Sequence, residues 1–138
     1  MSGVVARVGA RVAQLDHRRL PHWMIVRTIP MVIGRRFDSK SAGDLEATFE
    51  LRIRHPHGRE PTSFALDIAR GECSVRPGPA EEAGAVALVG ADDLILLTSG
   101  AAGWPELLSS GRFRLTGDPF LALRFASLFR LPVRLEGA

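Results

Sequence analysis

Hydrophobic positions in this chain switch between a helical period and a period of two, and each switch marks a change of element. Val4, Val5, Val8, Val12 and Leu15 share one side of a helical wheel, with Arg7, Arg11, Gln14 and Arg18 on the other. This spacing predicts an amphipathic helix that begins after Ser2 and Gly3 and ends before Pro21. A second apolar segment, Trp23 to Ile33, is interrupted by Pro30 and reads as one short helix or two. It runs into the Arg35–Arg36 pair and then a polar loop from Asp38 to Asp44.

From there the period is two. Phe49, Leu51 and Ile53 alternate with Glu50, Arg52 and Arg54, the pattern of a half-buried strand. A Pro/Gly turn, His55 to Gly58, leads to Phe64, Leu66 and Ile68, and the turn at Arg70, Gly71 and Glu72 leads to Cys73 and Val75. These three runs predict an antiparallel meander. An acidic loop from Pro77 to Gly84 precedes a fourth strand, Ala85 to Val89.

The helical period then returns. Asp92 or Asp93 is placed to cap a helix through Leu94, Leu96 and Leu97 that stops at Gly100. Pro105 opens a short helix to Ser109, with Gly111 past its end. Arg112 to Thr116 is a fifth strand. Asp118 and Pro119, a capping side chain and a first-turn proline, start a last helix that runs to about Phe129 before Pro132. The expected fold class is α+β, a five-stranded, mainly antiparallel sheet covered by helices from both ends of the chain. Residues 1–138 are expected to form a single domain, with an N-terminal helical segment over 1–34 and a core over 45–135.

Composition narrows the function classes. At 46% hydrophobic and 24% charged the chain has the make-up of a globular domain, which excludes a disordered or fibrous one. The only cysteine is Cys73, so neither an internal disulfide nor a thiolate metal cluster is available. The longest apolar stretch, Ala83 to Ala91, falls short of the ~20 residues of a membrane span. Arg7 and Arg11 interrupt any secretory leader core, so the expected location is cytoplasmic. Charge is lopsided: residues 1–36 carry seven arginines against Asp16 alone, and the remainder is mildly acidic.

The last helix is greasier than covering a sheet demands. Leu121, Phe125, Leu128 and Phe129 form a broad apolar arc, and Phe120 and Leu123 lie on or beside the side marked by Arg124, Ser127 and Arg130. A helix apolar nearly all round is buried on more than one side. Its second side must meet the N-terminal helices, a partner chain, a membrane or a bound apolar molecule. The last case implies a ligand cavity between this helix, the Leu94–Leu97 helix and the phenylalanine face of the sheet.

The run Gly111-Arg112-Phe113-Arg114-Leu115-Thr116-Gly117-Asp118-Pro119 before an apolar helix, preceded by Gly90-Ala91-Asp92-Asp93-Leu94 and the Pro105–Ser109 segment, resembles the C-terminal half of a sterol carrier protein 2 (SCP2) domain. The strands Phe49–Arg54, Phe64–Ile68 and Cys73–Val75, with Gly71 in the last turn, are similar to that family's N-terminal meander. The resemblance covers roughly residues 30 to 132, and a bacterial-type stand-alone member fits better than a peroxisomal one, because the chain ends in no peroxisomal address and begins with a basic helical segment. It implies a hydrophobic tunnel for sterols, fatty acyl chains, phospholipids or polyprenyl quinone precursors, which are carried or presented without chemistry. Carried over by position, the sheet would line the tunnel with Phe49, Leu51, Phe64, Phe113 and Leu115. The helices would add Leu94, Leu97, Leu108, Leu121, Phe125 and Phe129.

Other signals point less far. The basic N-terminal helix either packs its valines on the domain or lies on an anionic membrane with arginines at the headgroups. No aromatic interleaves its arginines, so nucleic-acid binding is not expected. His55 and His57 form a His-x-His pair in a Pro/Gly turn and read as turn residues rather than metal ligands. Cys73 reads as a small buried hydrophobe, and Asp92, Asp93 and Asp118 read as helix caps rather than a catalytic carboxylate pair. No catalytic residue, metal or cofactor is expected. The leading function is a carrier of an apolar ligand. The alternatives are a pathway enzyme that folds or cyclises a hydrophobic substrate by confinement, and an interaction module whose last helix seals a homodimer.

Overall fold

The computed structural model describes residues 22–55 and 58–133. The expected helix over Val4–Leu15 and the residue His57 therefore lie outside the described residues.

The first described element, α1 (His22–Arg36), is one continuous helix that contains Pro30. The sequence suggested an interruption there, since an interior proline removes a hydrogen bond and costs ~3 kcal/mol or more. The offsetting gain is burial: Ile29 packs against the core and Ile33 is buried, both on the side of α1 that meets the sheet. The segment read as a polar loop contains a single-turn helix, α2 (Ser39–Ala42). Asp38 caps it, accepting from the Lys40 N–H at 3.1 Å and the Ser41 hydroxyl at 2.9 Å.

Five strands follow in the expected places: β1 (Ala47–Arg54), β2 (Thr62–Ala69), β3 (Glu72–Pro77), β4 (Ala85–Gly90) and β5 (Phe113–Gly117). They lie in the order β3-β2-β1-β4-β5. The β1–β2, β2–β3 and β4–β5 pairs are antiparallel, and β1–β4 is parallel. A parallel pair needs a crossover, usually a dozen residues or more. Here residues 78–84 suffice, because β3 and β4 are staggered: Pro77 ends level with Leu51, while Ala85 starts level with Phe49. The crossover passes over the polar face of the sheet. The Ala80 N–H donates to Glu50 at 3.1 Å, and the Gly84 N–H donates to the Thr48 carbonyl at 2.8 Å.

Alternation makes the sheet one-sided. The register brings Phe49, Leu51, Ile53, Phe64, Leu66, Ile68, Ala85, Ala87, Val89 and Phe113 to one face, all of them buried. That face carries the remaining helices: α3 (Ala91–Ser99) over β1 and β4, α4 (Trp104–Ser109) against β5, and α5 (Pro119–Leu128) over β4 and β5. Gly90, not Asp92 or Asp93, occupies the cap position of α3 and makes no side-chain cap bond. The two aspartates sit inside the first turn, where their charge still suits the helix dipole. Asp118 and Pro119 start α5 as the sequence indicates, with the Asp118 carboxylate accepting from the Phe120 N–H at 2.9 Å.

Candidate functional site

The site read from the sequence lies between the apolar face of the sheet and α3, α4 and α5. Phe49, Leu51, Phe64, Phe113, Leu94, Leu97, Phe125 and Phe129 are all buried there. Leu115 and Leu121 are half-buried and pack against the same core. Leu108 is different: it is 38% exposed, while its neighbour Leu107 is 4% exposed and takes the interior position. In a helix as short as α4, one residue is a rotation of about 100°, and the anchor against β5 fixes which leucine turns inward.

Phe125 is the centre of the aromatic group. Its ring lies 5.5 Å from Phe49, 6.2 Å from Phe113 and 5.0 Å from Phe129, centroid to centroid. These are contact distances for tilted and edge-on rings. β4 contributes the small side chains Ala85 and Ala87 to this face, which lets α5 approach the sheet. The walls expected of a cavity thus touch one another in this conformation. Sequence reading passed over Phe37, whose ring stands 5.9 Å from Phe129 and extends the group toward α1. It lies four residues after Ile33, on the continuation of the apolar stripe of α1, and that spacing was the available signal.

The polar groups near this interior are engaged. The buried polar residues among those described are Glu50, Thr62 and Asp93. Glu50 lies on the opposite face of the sheet and holds the Arg52 guanidinium at 2.6 Å besides the Ala80 N–H. Asp93 is paired with Arg112, and this carboxylate holds that guanidinium's pKa above its usual value. The Thr62 hydroxyl is 2.6 Å from His55 Nε2, which places the first member of the His-x-His pair in a local hydrogen bond. Cys73 stands half-buried on the apolar face of the edge strand β3, and burial, helped by Asp67, pushes its thiol up to about 11. Among the described residues no group of three His, Cys, Asp or Glu side chains is arranged to hold a metal ion, and no helix is long and apolar enough to cross a membrane.

An open groove of about 560 Å³ lies at one end of β1, β2 and β3, lined by Glu46, Thr48, Asp67, Arg70 and Glu72 among others. It includes none of the predicted lining residues and is too polar for a hydrocarbon chain. Asp67 there is committed to the sheet, accepting from Thr48 at 2.9 Å and from Arg76 at 2.7 Å.

Comparison with known proteins agrees with this architecture. The sequence model of the SCP-2 sterol transfer family matches residues 36–130. No curated protein matches the chain by sequence. Palmitated SCP2L2 from Aedes aegypti superposes with a TM-score of 0.63 at 18% identity, covering 83% of this chain and 99% of that one. The apo form of sterol carrier protein 2 from Yarrowia lipolytica gives 0.59 at 18% identity, with 74% and 87% covered. A stereoselective inverting sec-alkylsulfatase from Pseudomonas sp. also gives 0.59 at 18% identity, covering 87% of this chain but only 18% of that enzyme. Likenesses at this identity establish the fold and leave activity to the site. With the family's pattern spanning β1 through α5, the chain belongs to the SCP-2 sterol transfer family.

Proposed function

We propose that this chain binds, transfers or presents an apolar lipid-like ligand, a fatty acyl chain or a molecule of similar girth, between its sheet and its helix layer, without chemistry. The observation that carries the reading is chemical: the helix-covered face is almost wholly hydrocarbon, interrupted at its edges by Thr62 and Cys73, and each buried polar side chain among the described residues already has a partner. Such a site can hold a hydrocarbon and has little with which to activate a substrate. The Aedes aegypti relative was solved in palmitated form, which supports an acyl ligand for this fold.

Transfer of hydrocarbon from water supplies the driving force. At ~0.8 kcal/mol per methylene, a dozen methylenes give a gross term of about 10 kcal/mol before ordering costs reduce it. The proposed lining consists of Phe49, Leu51, Phe64 and Phe113 from the sheet, Leu94 and Leu97 from α3, and Phe125 and Phe129 from α5. Because the rings of Phe49, Phe113, Phe125 and Phe129 touch, a ligand enters by parting α5 from β4 and β5 and turning these rings aside. The basic stretch Val4–Leu15 would add a contact of its own with an anionic membrane.

Titration with cis-parinaric acid tests the reading. Its emission should rise on binding and fall when palmitate displaces it. A probe that stays dark at every protein concentration contradicts the proposal.

A further inference from the structure

β4 gives the apolar face its smallest side chains. Ala85, Ala87 and Val89 point inward from it, and all three are buried. On one side Phe49 and Leu51 of β1 stand level with the two alanines. On the other, Leu115 and Phe113 of β5 stand level with Ala87 and Val89, while the place beside Ala85 is taken by Gly117, which has no side chain. β4 is thus the floor of a trough one strand wide, about 13 Å long from Ala85 to Val89 at ~3.3 Å per residue. Phe125 fills it. Its ring contacts Phe49 on one wall and Phe113 on the other, so it spans the trough above β4. Leu121, one helical turn earlier, lies over Gly84 at the Ala85 end.

We propose that Phe125 sets the ligand class: the space its ring leaves on turning aside admits one flexible hydrocarbon chain and excludes the fused rings of a sterol. The inference rests on the carrier reading and narrows it, since family membership leaves the ligand to the site. The backbones of β1 and β5 are two strand spacings apart, roughly 9.6 Å. A methylene carbon in contact with both walls needs ~3.5–4.0 Å to each, so a single chain lies in the trough and bends past each side chain in turn. A fused ring system is several carbons wide and rigid along its length. Laid flat, it forces Phe49 and Phe113 apart, although the strands that carry them are both bonded to β4. Stood on edge, it must lift α5 along its whole length. That helix is tied at both ends: the Asp118 N–H donates to the Gly84 carbonyl at 2.8 Å, and Arg36 Nε donates to the Phe129 carbonyl at 3.1 Å.

The test is displacement of cis-parinaric acid from the full chain by hexadecanol and by cholesterol, both delivered from the same cyclodextrin. These competitors share a hydroxyl head and differ in girth. Hexadecanol should displace the probe, and cholesterol should need at least about tenfold more. Phe125→Leu, whose side chain no longer reaches both walls, should narrow that gap about tenfold. Phe125→Met, which keeps more of the core volume, takes its place if circular dichroism shows the leucine variant unfolded. Cholesterol that displaces the probe from the parent as readily as hexadecanol overturns the inference. So does a folded variant that excludes cholesterol as strongly as the parent, because the selectivity then lies elsewhere. A parent that never takes up cis-parinaric acid removes the carrier reading, and this inference with it.

Discussion

Arg36 and Arg130 exchange main-chain hydrogen bonds across the seam where α1 and α5 end. Arg36 donates from Nε to the Phe129 carbonyl at 3.1 Å and from Nη2 to the Arg130 carbonyl, while Arg130 donates back to the Arg35 and Arg36 carbonyls. Arg36 also reaches the Thr98 carbonyl in the last turn of α3, at 3.3 Å. The Arg36 guanidinium thus answers carbonyls at the ends of two helices, α5 and α3, and Arg130 answers those at the end of α1, where orphan acceptors and the negative dipole end coincide. Burial and the neighbouring Arg130 charge hold the Arg36 pKa below its usual value, so this site is stabilised by carbonyls and not by a carboxylate.

Removing the Arg36 fork should loosen the ends of α3 and α5 together. Arg36→Ala should cost about 2–3 kcal/mol, since hydrogen bonds to charged groups contribute about 1.5–3 kcal/mol each and only part of that is net. Arg36→Lys should recover little, because one ammonium cannot reproduce a planar fork. Urea unfolding of both variants checks this. A lysine variant as stable as the parent would contradict the geometry.

Gly117 should tolerate no side chain. Its φ is +102°, and a Cβ there would stand 2.5 Å from the Gly84 carbonyl oxygen and 2.8 Å from the Ala85 Cα. Gly117→Ala should therefore destabilise by about 2 kcal/mol or more, from backbone strain and collision together. Gly84→Ala should cost less, because the atom its Cβ meets is the Leu121 Cδ1 at the end of a movable side chain. Thermal midpoints in the reverse order would contradict this.

Phe125 joins the rings of β1, β5 and the end of α5. Phe125→Ala should cost about 3–5 kcal/mol, the usual range for emptying a buried aromatic site. It also opens space between Phe49, Phe113 and Phe129, so added palmitate should raise the variant's melting temperature more than the parent's. Differential scanning calorimetry with and without palmitate measures both effects.

Cys73 should be slow to react with thiol reagents while the chain is folded. With its thiol pushed from 9.0 up to about 11, the thiolate is scarce at pH 8. The folded state favours the protonated thiol, so this contribution to stability is intact below the ordinary thiol pKa and is lost as pH rises through about 11. Reaction with an aromatic disulfide at pH 8 should accelerate sharply in denaturing urea, and equal rates folded and unfolded would contradict the placement.

Much of the sheet was legible in the sequence because period two is a direct image of one-sided burial, as Phe49, Leu51 and Ile53 against Glu50, Arg52 and Arg54 show. The capping chemistry of Asp118 and Pro119 was equally local and equally readable. The parallel placement of β4 beside β1 was not, because it depends on a stagger that involves strands far apart in sequence. Pro30 left α1 open between one helix and two because the local cost is visible in the chain, while the compensating burial of Ile33 is a tertiary fact. The choice of Leu107 over Leu108 turns on one residue of rotation in a helix too short to display a period. Most residues of the buried apolar interior could be named from pattern and resemblance, but the mutual contact of its rings could not, since packing depends on side-chain positions that no pattern records.

The central claim is that this apolar interior takes up a lipid-like molecule. Native mass spectrometry of the freshly purified, full-length chain tests it most directly. The account predicts a second species heavier by the mass of a lipid or fatty acid, lost on extraction with organic solvent and restored by added palmitate. A bare chain mass that remains unchanged after incubation with fatty acids, sterols and phospholipids would contradict it.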